Sequence, residues 1–397
     1  MALLPIDEST DKPVAAPPRF ALFALGFRPF YLLAAAFATI AIPVWVLVLA
    51  GKLAPPMPGI WWHAHEMLFG FAVAVIVGFL FTAGRNWTGL DTPAGPSLAA
   101  LAGLWLAGRI MLVASGGALA AAIDVIFLPT AAAALARVLW RARSRRNYFI
   151  VGLLGTLSLA NLTFHGARLG FLAIDPLAAL HFALGVIVVL ETAIGGRVIP
   201  SFTASALRGV RQWQREWLDR SAIGCTGLAL LSWAVCSWSA LPAWLCLAAA
   251  VLQFARCAGW NPWAARRVPL LWVLHVSHLW IPVALLLLAA AQFGLLARSA
   301  GVHALTIGAT GGLIIGMITR TALGHTGRPL VAGRFETLAY VLVQSAAVLR
   351  VLTVAAIPAA ALFGIHAAAA AWSAAFALYL WRYLPFLIRP RLDGQPG

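Results

Sequence analysis

The sequence predicts an all-α fold, a polytopic membrane helix bundle of about twelve transmembrane helices, on three observations. The 397 residues are 62% hydrophobic and only 10% charged, less than half the charge of an ordinary soluble domain. The apolar residues fall into runs near the length of about 20 that a bilayer core demands. The remaining charge, +16 net, is Arg gathered in short loops between those runs. That placement carries orientation information and is not a nucleic-acid footprint.

In chain order, residues 1–20 are polar and Pro-rich and lack the basic, apolar and small-residue regions of a signal peptide. The first apolar run then acts as the insertion signal. Runs follow near 24–50, 62–84, 97–114, 118–140, 147–169 and 175–196, and again near 220–238, 241–258, 268–291, 301–320, 335–357 and 359–383. With the N-terminus inside, Arg85, Arg141 to Arg146, Arg208 to Arg220, Arg256 to Arg267 and Arg320 to Arg334 fall in cytoplasmic loops. The external loops hold little beyond Lys52, Arg168 and Arg298. This bias predicts cytoplasmic N- and C-termini.

The implied organisation is a cytoplasmic tail (1–20), a six-helix half (21–196), a cytoplasmic amphipathic loop (197–219), a second six-helix half (220–384) and a cytoplasmic tail (385–397). Within the loop, Arg211 to Trp217 reads as a short helix lying on the membrane surface. No sequence repeat relates the halves, so an inverted-repeat transporter is not supported. Cys225, Cys236, Cys246 and Cys257 lack CxxC spacing and read as small packing residues.

The chemistry concentrates in histidine. Trp61-Trp62-His63-Ala64-His65-Glu66 opens the second run with two imidazoles and a carboxylate, groups costly to desolvate at a helix end. On the predicted topology His63, His65, His165, His181, His303 and His366 share the external layer, with His366 read as interfacial. His275 and His278 lie on one face of the ninth helix, and His325 lies in a cytoplasmic loop. Imidazoles in one layer suit haem iron or copper. The bland alternatives are satisfied core histidines, or polar glue between helices for His278.

His63 and His65 stand about 200° apart on a regular helix, so they face different ligands unless the helix starts between them. Glu66, one turn after His63, would orient it or ligate. Asn161, one turn before His165, would hold that ring. Arg109 and Arg168 are candidates for haem propionate partners. Glu191, deep in the sixth helix, needs a partner and reads as a proton relay or a structural pair with an Arg. Gly195-Gly196-Arg197-Val198-Ile199-Pro200 reads as a helix break. That segment and Gly324 to Pro329 would form anion-binding turns, although plain helix termination is the commoner use of such glycines.

The phrases Gly26-Phe27-Arg28-Pro29-Phe30, Trp62 to Gly70, Gly195 to Thr203, His303-Ala304-Leu305-Thr306-Ile307-Gly308 and Thr319-Arg320 through Pro329, in that order along most of the chain, resemble the NnrS family. The resemblance implies a twelve-helix bacterial inner-membrane protein with haem b and copper, associated with denitrification and the nitric oxide response. Its ligand candidates here are His63, His65, His165, His181, His275, His303 and His325, not divided between haem and copper. His278 departs from the pattern, which leaves any role for the His275–His278 pair open.

The expected function is an oxidoreductase-type haem and copper protein that binds nitric oxide or processes metal–nitrosyl species. The alternative is a metal-ion or small-solute transporter with a histidine-lined path. Layout alone also likens the chain to the haem–copper oxidase subunit. Fold-level likeness does not carry function, and neither an adjacent His-His pair nor a His followed four residues later by Tyr in a span is present.

Overall fold

Long apolar segments ended by Gly, Pro and Arg-rich loops fold into twelve helices in the computed structural model, which describes residues 20–236 and 239–395. They are α1 (Phe27–Leu49), α2 (Gly59–Thr88), α3 (Pro96–Ala114), α4 (Ala118–Arg141), α5 (Arg145–Arg168) and α6 (Pro176–Ala206). After these come α7 (Glu216–Val235), α8 (Leu241–Gly259), α9 (Pro269–Gln292), α10 (Arg298–His325), α11 (Arg334–Ala355) and α12 (Pro358–Ile388). All but the last residue of the expected N-terminal tail lies outside the described residues.

Eleven of these helices are long and apolar enough to cross a bilayer. The exception is α7, whose 20 residues begin with Glu216, Asp219 and Arg220. Parity argues that it crosses as well. Ala21 N donates to Ile388 O at 2.8 Å, so the start of α1 and the end of α12 share one face, which requires an even number of crossings.

Neighbours in sequence pack side by side, and α12 closes the ring against α1. The interior belongs to α2 and α10, whose most apolar windows are 83% and 72% buried. Small residues permit this, because close helix contact in a membrane rests on van der Waals packing. A Cβ on Gly78 would stand 2.9 Å from Phe30 Cβ, and one on Gly316 would stand 2.8 Å from Leu274. Both interior helices are built alike. Each has a short α segment ending in histidine (Gly59–His65 and Arg298–His303), followed by a π segment (Glu66–Ala72 and Ala304–Gly311). Wide turns of this kind recur at functional sites.

Two expectations need correction. The sixth helix does not break at Gly195–Pro200 but runs through Pro200 to Ala206. The glycines serve packing: a Cβ on Gly195 would lie 2.9 Å from His278 Nδ1, and one on Gly196 would collide with the Arg256 guanidinium. A surface helix over Arg211 to Trp217 does not form either. Residues 207–215 are irregular and Glu216 starts α7. Here Trp213 N bonds Gly259 O at 2.9 Å and Gln212 bonds Trp260 O at 3.0 Å, so the segment is tied to the end of α8.

The Gly26-Phe27-Arg28-Pro29-Phe30 phrase has a structural use. Arg28 is fully buried and donates Nη1 to Leu387 O at 2.9 Å and Arg389 O at 2.8 Å. A cation thus binds carbonyls that the end of α12 leaves unpaired. Arg28→Ala strands those carbonyls. It is expected to cost about 2 kcal/mol, read as a lower unfolding temperature in detergent with metal content unchanged.

The Gly324 to Pro329 turn is not open to an anion. Gly327 adopts φ +71°, and the Asp393 carboxylate lies about where its Cβ would contact, at 3.0 Å. The Arg391 guanidinium holds that carboxyl at a pKa of about 2, so the tail presents a negative charge to the turn.

Candidate metal centre

His63 and His65 close the short α segment that precedes the π turn at Glu66. As expected for positions about 200° apart, they face different neighbours. His65 turns into the first half and His63 toward the second.

His65 is fully buried among groups from α3, α4 and α5. Its Nδ1 faces Glu66 Oε1 at 2.9 Å, so Glu66 orients His65 and not His63. Its Nε2 faces Asn161 Oδ1 at 3.0 Å and Asp124 Oδ2 at 3.2 Å. Asn161 therefore serves His65 and donates Nδ2 to Asp124 Oδ2 at 2.8 Å. His165 is held by Asp124, whose Oδ2 lies 2.9 Å from its Nε2, and by Arg168 Nε, which donates to Nδ1 at 2.8 Å. Arg168 also donates to Gly116 O at 2.6 Å. Arg109 pairs with Glu66 Oε1 at 3.0 Å and with Asp124. Two glycines make room for these charges: a Cβ on Gly70 would stand 3.0 Å from Arg109 Nη1, and one on Gly108 would stand 3.2 Å from Asp124 Cα.

The hydrogen bonds fix proton positions. Arg168 always donates, so His165 Nδ1 carries a lone pair and its Nε2–H points at Asp124. His65 meets acceptors at both nitrogens. A single ring proton satisfies one end and leaves the other nitrogen lone pair against oxygen lone pairs. Placed toward Glu66, that proton leaves His65 Nε2, Asn161 Oδ1 and Asp124 Oδ2 converging on one point with no hydrogen between them, which is the donor arrangement a cation completes. One ligand atom each from His65, Asp124 and His165 lies within 4.8 Å of the others, all from buried residues. Two imidazoles and one carboxylate suit copper, zinc or iron. With both rings neutral, Glu66 and Asp124 balance Arg109 and Arg168, so the protein itself brings no net charge to the centre.

A second group forms between the two π-containing helices. The His63 and His303 ring centroids lie 6.5 Å apart with planes at 15°, and Trp45 stacks on His63 at 4.7 Å. His303 Nδ1 bonds Ser299 O at 2.7 Å, which leaves its Nε2 as the lone-pair nitrogen. His63 Nδ1 and Arg350 Nη1 are buried without partners. Arg350 is close enough to both rings to act on them electrostatically.

The other histidines stay apart. His181 packs on Trp233 at 4.6 Å, His325 lies 5.6 Å from Phe27, His366 is exposed, and His275 Nε2 meets Thr203 Oγ1 at 2.9 Å. The expected external layer thus resolves into two pairs and two single rings, His181 and His366. Asp124 was not singled out from the sequence, yet the test that flags Glu191, a lone acid inside a span, applies equally to it. The same test applies to Arg350, a lone cation inside the run near 335–357.

A family model described as NnrS protein matches residues 21–391. The chain belongs to the NnrS family. No curated relative matches it. The match to the NnrS model extends across α1 to α12, so both histidine groups lie inside the family unit.

Proposed function

We propose that this NnrS-family membrane protein acts in the bacterial nitric oxide response through a buried metal centre held by His65, Asp124 and His165. The convergence of these three donors carries the reading. The family resemblance, which implies haem b and copper in a bacterial inner membrane, supports it. Copper fits the first group, where imidazoles and a carboxylate meet around a point short of protons. Haem fits the second. His63 and His303 stand side by side across α2 and α10, and the lone-pair nitrogen of His303 and the unpartnered His63 Nδ1 are the atoms that would hold haem iron. Arg350, with an unpaired N–H, would take a propionate.

When bound, the haem iron supplies a site for nitric oxide and copper supplies one-electron chemistry. The protein residues do the rest. Glu66 and Asn161 orient His65, while Arg109 pairs with both carboxylates. To offer Nε2 to a metal, His165 would carry its proton on Nδ1, and Arg168 would then give up Nδ1 while keeping Gly116 O. In this reading both termini face the cytoplasm and both metal groups the opposite side, as the Arg bias suggests.

The test is metal and optical analysis of the detergent-purified protein, reduced and then exposed to nitric oxide. Copper and a b-type haem spectrum that shifts with nitric oxide are expected. His65→Ala should remove copper and spare haem, and His303→Ala should do the reverse. A colourless, metal-free protein made with ample haem and copper would overturn the reading and favour transport.

A further inference from the structure

A cavity of about 90 Å³ lies between α1, α2, α6, α9 and α10, walled mainly by apolar side chains such as Phe79, Leu274, Ile314 and Met317. The metal centre and the His63–His303 pair do not line it. Two ionisable side chains do, Glu191 and Tyr31, and the Glu191 Oε2 and the Tyr31 hydroxyl are each buried without a hydrogen-bond partner.

A further polar group lies just behind this wall. His278 is fully buried, and neither ring nitrogen has a partner. Its Nδ1 rests 2.9 Å from where a Cβ on Gly195 would be, and Gly195 is itself part of the wall. Leu274, one turn before His278 on α9, is another part of it. Glu191 and Gly195 lie one turn apart on the same face of α6, about 6 Å along the axis. The wall therefore offers a carboxyl and, across a missing side chain, an imidazole, set about one helical turn apart in apolar surroundings. Buried polar groups left unpaired call for a ligand or ordered water.

We infer that this cavity binds a lipid-soluble quinone or quinol, with Glu191 and His278 at its two polar ends. Such a molecule carries oxygens at opposite ends of a flat ring, and its apolar substituents suit the remaining walls. A quinol hydroxyl donates to a carboxylate oxygen or a bare imidazole nitrogen, and a quinone oxygen accepts from the imidazole N–H or from the O–H of a protonated Glu191 carboxyl, so either redox form has a partner at both ends. The site lies at membrane depth, where that class of compound is dissolved. This inference stands apart from the metal reading.

The test uses the full-length protein in nanodiscs of phosphatidylcholine and phosphatidylglycerol that contain no quinone. A photoreactive azido-quinone with a short tail is cross-linked and mapped by peptide mass spectrometry, with copper and haem measured in the same samples. Saturable labelling of α6, α9 or α10, displaced by excess decylubiquinone, is expected. It should fall about tenfold in Glu191→Leu and in His278→Leu, the value of one lost hydrogen bond of about 1.4 kcal/mol. Ile194→Trp, which fills the cavity, should abolish it. Labelling that does not saturate, or that added phospholipid displaces as well as decylubiquinone, would overturn the inference by identifying a lipid groove. If a variant fails to assemble, saturation and competition in the wild-type protein still decide. Lost labelling with metals intact counts against this site alone, and lost metals with labelling intact count against the metal centre alone.

Discussion

Asp124→Asn is expected to empty the buried centre of metal. The carboxylate meets Asn161, His165, Arg109 and His65 at once. An amide of the same shape offers one acceptor oxygen and replaces the other with a donor. Placed toward Asn161, that donor faces an N–H; placed toward Arg109, it faces a guanidinium. Loss of a charged ligand should weaken copper binding by well over the roughly 10–100-fold typical of losing an outer-shell partner. It also leaves the Arg109 charge only half balanced. Metal content per protein, measured after purification, checks this. Full copper occupancy in a folded Asp124→Asn protein would remove Asp124 from the ligand set.

The second large effect is on stability. Arg109→Leu leaves the Glu66 and Asp124 carboxylates buried near one another without the cation that pairs with both. Removing one partner of a buried pair costs about 3–5 kcal/mol. A lowered unfolding temperature and reduced yield are expected. The informative comparison is the double variant Arg109→Leu with Glu66→Gln. Deleting one negative charge should recover a substantial part of the loss, because the penalty is unbalanced charge and not lost packing. If the double variant is as unstable as the single, the network is held by shape. Arg109 also lies 5.8 Å over Trp105, and a leucine preserves some of that apolar contact.

Much of the bundle was legible because the bilayer imposes one length and one polarity on every crossing. The expected run at 118–140 and the observed Ala118–Arg141 agree almost to the residue. Glycine misled at Gly195 and Gly196, because in a tightly packed membrane helix a missing side chain more often admits a neighbour than ends the helix. The centre was half legible. His65 and His165 stand out by residue type, and Asn161 by its spacing from His165. The partners of Asn161 were misassigned, because a spacing argument sees one helix and the contact to His65 crosses between helices 96 positions apart. Depth alone could not sort His63 from His303 or from His181. Only side-by-side placement of α2 and α10 pairs the first two.

The closing of the ring between α1 and α12 bears on the order of synthesis. Every side chain of the first metal group, from His65 to Arg168, lies on four consecutive helices. Those helices have all been synthesised before residue 176 begins α6. The place beside α1, by contrast, stays open until the last helix arrives and Arg28 finds its carbonyls. During that interval a nascent chain already contains a complete set of donors within an unfinished wall, so a metal donor has access to the centre that the finished bundle denies.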